Sequence, residues 1–339
     1  MSKPRKTMAE LARLTGVNVS TVSRALNDSP LVKDETKAEI LRVAREIGYS
    51  VNVAARNLRR QSSSTIALVI PLKPGSGETI SDPFFLEMVG AVSMAASKRG
   101  YDLLLSTPQD ESAIAERRLL QTGRADGLII IGQAGREDRL QSIGEMESRI
   151  VVWGGLQQDT PYTLIGSDNR LGGELATAHL IGLGRKRVLF IGDTALPEIA
   201  LRFEGYRDAH AAAGLDADPA LTLRIGFGHQ VKEVVPQLSR MLAAGERIDA
   251  VFAASDALAI MAMEALRQNG LSVPGDVSVV GYDNITQAAL AQPSLTTISQ
   301  NIAIGGELLV SALIDKLEGE AVSSTLTPTE LIVRESCGG

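Results

Sequence analysis

The chain has 339 residues, a formal net charge of −6 and a single cysteine, Cys337, which excludes an internal disulfide and a cysteine-ligated metal. Its three histidines, at 179, 210 and 229, lack metal-ligand spacing, and no apolar run is long enough to span a membrane. Residues 1–62 hold twelve Lys/Arg against six acids, a net +6, so the remainder carries −12. A basic head on an acidic body fits a phosphate-binding module joined to a sensor, and a uniformly acidic enzyme would have no need of that asymmetry.

The first elements are helical. Thr7 followed by Glu10 is a capping box. Met8, Leu11, Ala12 and Leu14 give an apolar face, and Gly16 ends the helix. Asn18 is the expected N-cap of a second helix. Val22, Ala25 and Leu26 should pack inward, leaving Val19, Ser20, Thr21 and Arg24 outward, where a major-groove helix reads base edges. A third helix over 34–47 carries the stripe Ile40, Val43, Ala44, Ile47 and stops at Gly48. The same pattern also suits a plain three-helix bundle with a solvated face.

A polar linker, 61–65, leads into a body that alternates strand and helix. Strands are expected at 66–71, 101–106, 127–131, 150–153, 163–168, 187–191, 250–254 and 277–282. Helices are expected at 83–99, 114–122, 171–182, 202–213, 231–244 and 257–269. Near-continuous apolar strands between helices predict doubly wound parallel sheets, an α/β body, and about 275 residues is long for one sheet, so two lobes are expected. The Gly75-Ser76-Gly77 segment lacks the flanking residues of a phosphate loop and reads as a turn.

Ligands of such sheets bind beyond the carboxyl ends of strands. Residues there include Asp82-Pro83-Phe84-Phe85, with Phe84 the preferred ring, then Gln133, Trp153, Asp168, Arg202, Phe227, Ser255, Asp256 and Asp283. Each polar residue has a structural alternative as a helix cap or an interlobe ion pair. For Asp256 the cap is preferred, Asp168 is even, and Trp153 is either core or ligand wall.

The head sequences TMAELARLTGVNVSTVSRALN and IGYSVNVAARNLRR resemble the lactose/purine-repressor (LacI/GalR-type) family of transcriptional regulators, and the likeness extends over nearly the whole chain. The resemblance implies a helix–turn–helix head with a hinge helix at about 52–60, together spanning 1–61. It implies a two-lobed, type I periplasmic-binding-protein-like body at 62–337. Crossings near Asn169, Gln300 and Thr325 would give an N-lobe of 62–168 plus 301–324 and a C-lobe of 169–299 plus 325–337. DNA-contacting positions carried over are Thr7, Val19, Ser20, Thr21, Ser23, Arg24 and Asn27. In the hinge they are Asn52, Ala55, Arg56 and Leu58, with Leu58 as the minor-groove wedge. Arg202, Phe227, Ser255, Asp283 and Gln300 fall where the family contacts effector. Two departures stand out: Val51 replaces the usual proline before the hinge, and Lys33 replaces a capping Ser/Thr, with Asp34 expected to take over the cap.

The reading is a cytoplasmic, homodimeric repressor of carbohydrate genes. It binds a near-palindromic operator, is released by a saccharide, and has neither catalysis nor cofactor. A start of MSKPRKT running straight into a helix argues against a secretory signal and so against a free periplasmic sugar-binding protein. A purine- or other metabolite-corepressed regulator is the alternative within the class. A sugar-binding protein without a DNA role is the alternative outside it.

Overall fold

The computed structural model describes residues 7–26, 29–49, 62–72, 79–108, 114–133, 137–155, 160–226 and 230–338. The chain divides into two compact units, Met1–Ser63 and Ser64–Gly339.

In the first unit, helices α1 (Met8–Thr15), α2 (Val19–Leu26) and α3 (Asp34–Glu46) enclose Leu11, Ala12, Val22, Ala25, Val32, Ile40, Val43 and Ala44. Thr7 Oγ1 accepts the Glu10 N–H at 3.2 Å, and Gly16 takes φ +68°, the left-handed conformation that ends α1. Asn18 caps α2 by accepting the Thr21 N–H at 2.9 Å. Two expectations need correction. Leu14 lies off the core and is 47% exposed. Asp34 does not cap α3: Lys33 holds the cap position without a side-chain bond, and Asp34, already inside the first turn, sits 3.7 Å from the Lys37 ammonium.

The second unit is two six-stranded sheets. The N-lobe sheet runs β11-β5-β4-β3-β1-β2, from β1 (Thr65–Val69), β2 (Asp102–Ser106), β3 (Gly127–Ile131), β4 (Ile150–Trp153), β5 (Thr163–Ser167) and β11 (Thr325–Thr327). The C-lobe sheet runs β12-β10-β9-β8-β6-β7, from β6 (Val188–Ile191), β7 (Thr222–Leu223), β8 (Ala250–Ala253), β9 (Ser278–Asp283), β10 (Thr296–Ser299) and β12 (Glu330–Ile332). Apart from the antiparallel β10–β12 pair, neighbours are parallel. Strands such as LIII of β3 are buried at every residue because helices cover both faces.

The helices of the body are α4 (Pro83–Lys98), α5 (Ile114–Gln121), α6 (Glu137–Met146), α7 (Asn169–Gly182), α8 (Pro197–Ala212), α9 (Gln230–Ala243), α10 (Asp256–Gln268), α11 (Thr286–Leu290) and α12 (Ile302–Leu317). α8 starts five residues before the expected 202 because Pro197 occupies its first turn. α6, α11, α12, β7, β10, β11 and β12 were not anticipated. α12 reads IAIGGELLVSALIDKL, apolar on most sides, and it is wedged against α4 where Gly306 meets Ala91.

The chain passes between lobes at 168–169, 300–301 and 328–329. The third passage corrects the expected crossing at Thr325. Thr325–Thr327 pairs in parallel with Ile165–Ser167 and so belongs to the N-lobe, and only β12 joins the C-lobe.

Candidate functional site

The carboxyl ends of both sheets face one cleft of about 910 Å3, counting the part open to solvent. From the N-lobe come Leu72, Asp82, Phe84, Phe85, Ile131 and Trp153. From the C-lobe come Leu196, Glu198, Ile199, Arg202, Ile225, Ser255, Leu258 and Asp283, and from the crossing Gln300. The walls are mostly apolar and the polar groups converge on one region, the combination expected of a small-molecule site.

Arg202 anchors that region. Its helix α8 crosses α7 backbone to backbone: a Cβ on Gly173 would lie 2.0 Å from the Arg202 carbonyl oxygen, and one on Gly205 would lie 2.0 Å from that of Arg170. Only glycine allows this approach, and it fixes where the guanidinium begins. Arg202 Nε donates to Asn169 Oδ1 at 2.8 Å and Nη1 donates to the Ala254 carbonyl at 2.5 Å. The guanidinium carbon lies 3.6 Å from the centroid of the buried Tyr282 ring, a cation–π contact.

Asp283 ends β9 with φ +119°, a strained backbone for a residue with a side chain, of the kind that clusters at ligand clamps. Its Oδ1 accepts from Gln300 Nε2 at 2.6 Å, and Gln300 Oε1 accepts from the Ser167 hydroxyl at 2.7 Å. One chain of hydrogen bonds thus runs from the C-lobe through a crossing to the end of β5. Burial pushes the Asp283 carboxyl well above its ordinary range, against the opposing pull of Arg202. Burial also raises Asp82, whose Oδ1 caps α4 by accepting the Phe84 N–H at 3.0 Å. Among the described residues the lining therefore holds Asp82, Glu198 and Asp283 and one cation, Arg202.

The structure sorts the candidate residues. Phe84, Trp153, Arg202, Ser255, Asp283 and Gln300 line the cleft. Phe84 and Phe85 both reach it, because they sit on a helix rather than on an extended segment; Phe85 is also N-lobe core. Trp153 is wall and core together, packed where a Cβ on Gly305 would lie 2.5 Å from its ring. Ser255, besides lining the cleft, caps α10 through the Leu258 N–H. Asp256 is therefore not the cap: its carboxylate accepts from Thr297 Oγ1 at 2.5 Å and from the Ile285 N–H at 2.9 Å. Asp168 lies outside the lining, capping α7 at Leu171 N. Gln133 is also outside it, fully buried, with Oε1 accepting the Gly155 N–H at 3.0 Å and Nε2 unpartnered. Phe227 lies outside the described residues. Asp82, placed at a strand end by the sequence, also lines the cleft, and Glu198 was missed as a lining residue. Glu198 sits in the first turn of a helix that follows a strand's carboxyl end, much as Asp82 sits in a cap, a position that could have identified it.

On α2, Val19, Ser20 and Arg24 are exposed while Val22 and Ala25 are buried, so a reading face stands clear of the core. Thr21 and Ser23 are half-buried. The hydroxyls of Ser20 and Thr21 both donate to Asn18 Oδ1, at 2.7 and 2.8 Å, which orients them at the helix start, and Thr7 at the start of α1 is exposed. Asn27, Asn52, Ala55, Arg56 and Leu58 lie outside the described residues, as does Val51. Among the described residues no helix is long and apolar enough to cross a membrane, and no cluster of three potential metal ligands occurs.

Residues 7–52 match the family model for bacterial regulatory proteins of the lacI family, and residues 177–337 match the periplasmic binding protein-like domain. The HTH-type transcriptional regulator CelR of Thermobifida fusca is 33% identical over 341 residues, covering 98% of each chain. The ribose operon repressor of Escherichia coli (strain K12) is 32% identical over 318 residues, 92% of this chain and 93% of that one. Among solved structures, a CelR–cellobiose complex is 31% identical with a TM-score of 0.71, over 98% of this chain and 100% of the other. The lac repressor dimer bound to operator and the anti-inducer ONPF is 25% identical with a TM-score of 0.84, over 98% and 99%.

Proposed function

We propose that this chain, which belongs to the lacI family of bacterial regulatory proteins and is a DNA-binding transcriptional regulator under effector control, is a repressor released by an uncharged saccharide. The observation that carries the ligand class is the composition of the cleft. Aromatic and aliphatic walls from Phe84, Trp153 and Ile199 surround a polar cluster of Arg202, Asp283 and Gln300. Flat apolar surfaces suit the carbon faces of a pyranose, and charged and amide groups suit its hydroxyls. Among the described lining residues three acidic side chains stand beside one cation, which supports a neutral ligand over an anionic one. The cellobiose of the CelR complex and the ribose in the name of the operon repressor are of the same class.

The working form is a cytoplasmic homodimer on a near-palindromic operator. Leu86, Met94, Leu105 and Ile114 are large apolar side chains left exposed on the N-lobe, which supports a covering partner copy. Val19, Ser20 and Arg24 read bases in the major groove. The Leu58 side chains of the two hinges wedge into the minor groove, with Asn52, Ala55 and Arg56 around them. Saccharide in the cleft changes the angle between lobes and disfavours the paired hinges, with a coupling of about 1–3 kcal/mol.

The test is a titration. The purified protein selects a duplex from a random pool, and mono- and disaccharides are then added to the complex. One that binds the protein and weakens DNA binding supports the reading. One that tightens DNA binding reverses its sign, and failure to select any duplex refutes the DNA role.

A further inference from the structure

Three chain passages join the lobes, so any change of interlobe angle must break the noncovalent bridges away from those passages. Two polar bridges of this kind stand among the described residues. Glu198, on α8 of the C-lobe, accepts the N–H of Gln133, at the end of β3 in the N-lobe, at 3.1 Å. Glu87, on α4 of the N-lobe, accepts the N–H of Thr286, the first residue of α11 in the C-lobe, at 2.7 Å. The bridges are reciprocal, each lobe supplying one carboxylate and receiving one. In the C-lobe sheet the first follows β6 and the second follows β9, with β8 between them.

Glu87 is not part of the cleft lining, but its surroundings tie it to the cleft on both sides. On its own helix it lies one turn after Phe84, whose ring packs against the cores of both lobes. Its partner Thr286 lies three residues after Asp283. The intervening loop is held in one shape by positive φ at Asp283 and Asn284, by the Ile285 N–H donating to Asp256, and by Arg334 donating to Asn284 Oδ1 at 2.7 Å. A ligand that engages Asp283 therefore acts on a stiff loop whose far end is bonded to α4. That helix also carries the exposed Leu86 and Met94.

We propose that Glu87 is a positioning residue. Its bond to the Thr286 amide is an interlobe latch that works as a unit with the Glu198–Gln133 bond and transmits the state of the Asp283 loop to α4. The Glu87–Thr286 bond is short and exposed, and the Glu198–Gln133 bond is longer, at 3.1 Å, and partly buried, so each is weak enough to open in a functional transition. The inference stands apart from the identity of the effector.

The test uses the full-length protein and needs neither ligand nor operator. Glu87→Ala removes the acceptor. Thr286→Pro removes the donor at a first-turn helical position that tolerates proline, after Ile285 at φ −64°, ψ 159°, which is compatible with a following proline. Residue-resolved hydrogen exchange is measured on each variant and on the double variant. A unitary latch predicts that either single change speeds exchange of the distant Gln133 amide by about fivefold or more, and that the double change adds little. If Glu87→Ala speeds exchange at Thr286 alone and Gln133 keeps its protection, the bond is local and the proposal falls. If the two single effects multiply in the double variant, the residues do not act through their shared bond and it falls equally. Operator affinity of the same variants, on a duplex the wild type selects, is a separate reading: its absence would bear on the regulator function and leave the exchange result standing.

Discussion

Arg202 lies over the face of Tyr282, 3.6 Å from guanidinium carbon to ring centroid, while its nearest approach to the Asp283 carboxylate is 3.9 Å. The arginine is held by the ring, by Asn169 and by the Ala254 carbonyl rather than by a tight ion pair. Asp283 instead accepts a hydrogen bond from the Gln300 amide. A hydroxylated ligand can therefore engage Arg202 and Asp283 without first breaking a strong salt bridge between them.

Replacing Arg202 by Lys keeps the charge but loses the planar stacking and the two directed bonds. The expected outcome is an effector affinity lower by about 10- to 100-fold, from roughly 1–3 kcal/mol of lost hydrogen bonding. Ligand-free DNA affinity should stay within about twofold of wild type. Isothermal titration alongside a DNA-binding assay checks this, and a parallel loss of both activities would mark Arg202 as a folding residue.

Gly173→Ala places a Cβ about where the Arg202 carbonyl oxygen now is. Backbone cannot yield there without separating α7 from α8, so the body should lose at least about 1–3 kcal/mol of stability and its ligand affinity as well. Thermal unfolding should show the transition of the Ser64–Gly339 unit lowered. An unchanged melting temperature would mean that the helices are not in close contact in solution.

Asp256 gives a pH signature. Burial pushes its carboxyl up to about 7 in the folded protein, partly opposed by the bonds from Thr297 and Ile285. The unfolded value is about 3.9. The folded state thus holds the proton more tightly, so this group's contribution to stability is greatest below pH 4 and declines as pH rises to about 7. Asp256→Asn should remove that decline. Unfolding free energies of wild type and variant, compared between pH 4 and 8, should diverge in favour of Asn as pH rises; parallel curves would refute the assignment.

The body begins at a clamp: Asp126 Oδ2 accepts the N–H of Ser64 at 2.9 Å, and Ser64 has φ +50°. Asp126→Ala frees the residue on which the linker enters the N-lobe. We expect weaker operator binding, by about three- to tenfold, with effector affinity unchanged, because the cleft lies at the other end of the strands. Equal loss of both would show general destabilisation.

In the head, Arg24→Ala should cost about 1–3 kcal/mol of operator affinity and relax base preference at one position of each half-site, as expected for a base-reading arginine. Repeating duplex selection with the variant reads this out directly. An unchanged consensus with a shallower salt dependence would make Arg24 a phosphate contact instead.

Much of this was legible in residue order because the signals are local. Capping by Thr7 and Asn18 and the left-handed stop at Gly16 depend on neighbours within a few positions. Buried strands such as LIII and VLFI announce a two-sided sheet by lacking alternation. Motif likeness brought Arg202, Ser255, Asp283 and Gln300 to one cleft. What failed had a non-local cause. Leu14 is apolar at a helical spacing, yet no partner covers it. Thr325–Thr327 is a short strand whose lobe is decided by pairing with Ile165–Ser167, some 160 positions away in sequence. Asp256 precedes an apolar helical run as a cap would, but the preceding serine takes that role and the carboxylate turns to Thr297 and Ile285.

By itself the sequence determined a basic three-helix reader, a doubly wound two-lobed body and the set of residue types a ligand would meet, since these follow from periodicity, caps and charge within short windows. Only the tertiary structure decided which carboxyl groups reach the cleft and which bond elsewhere. It also decided that Asp168 and Gln133 serve the scaffold while Asp82 and Glu198 reach the cleft, and that Glu87 and Thr286 meet between the lobes. The reason is geometric: a side chain's role at a lobe boundary depends on what the other lobe places opposite it, and that lobe is built from distant stretches of the chain.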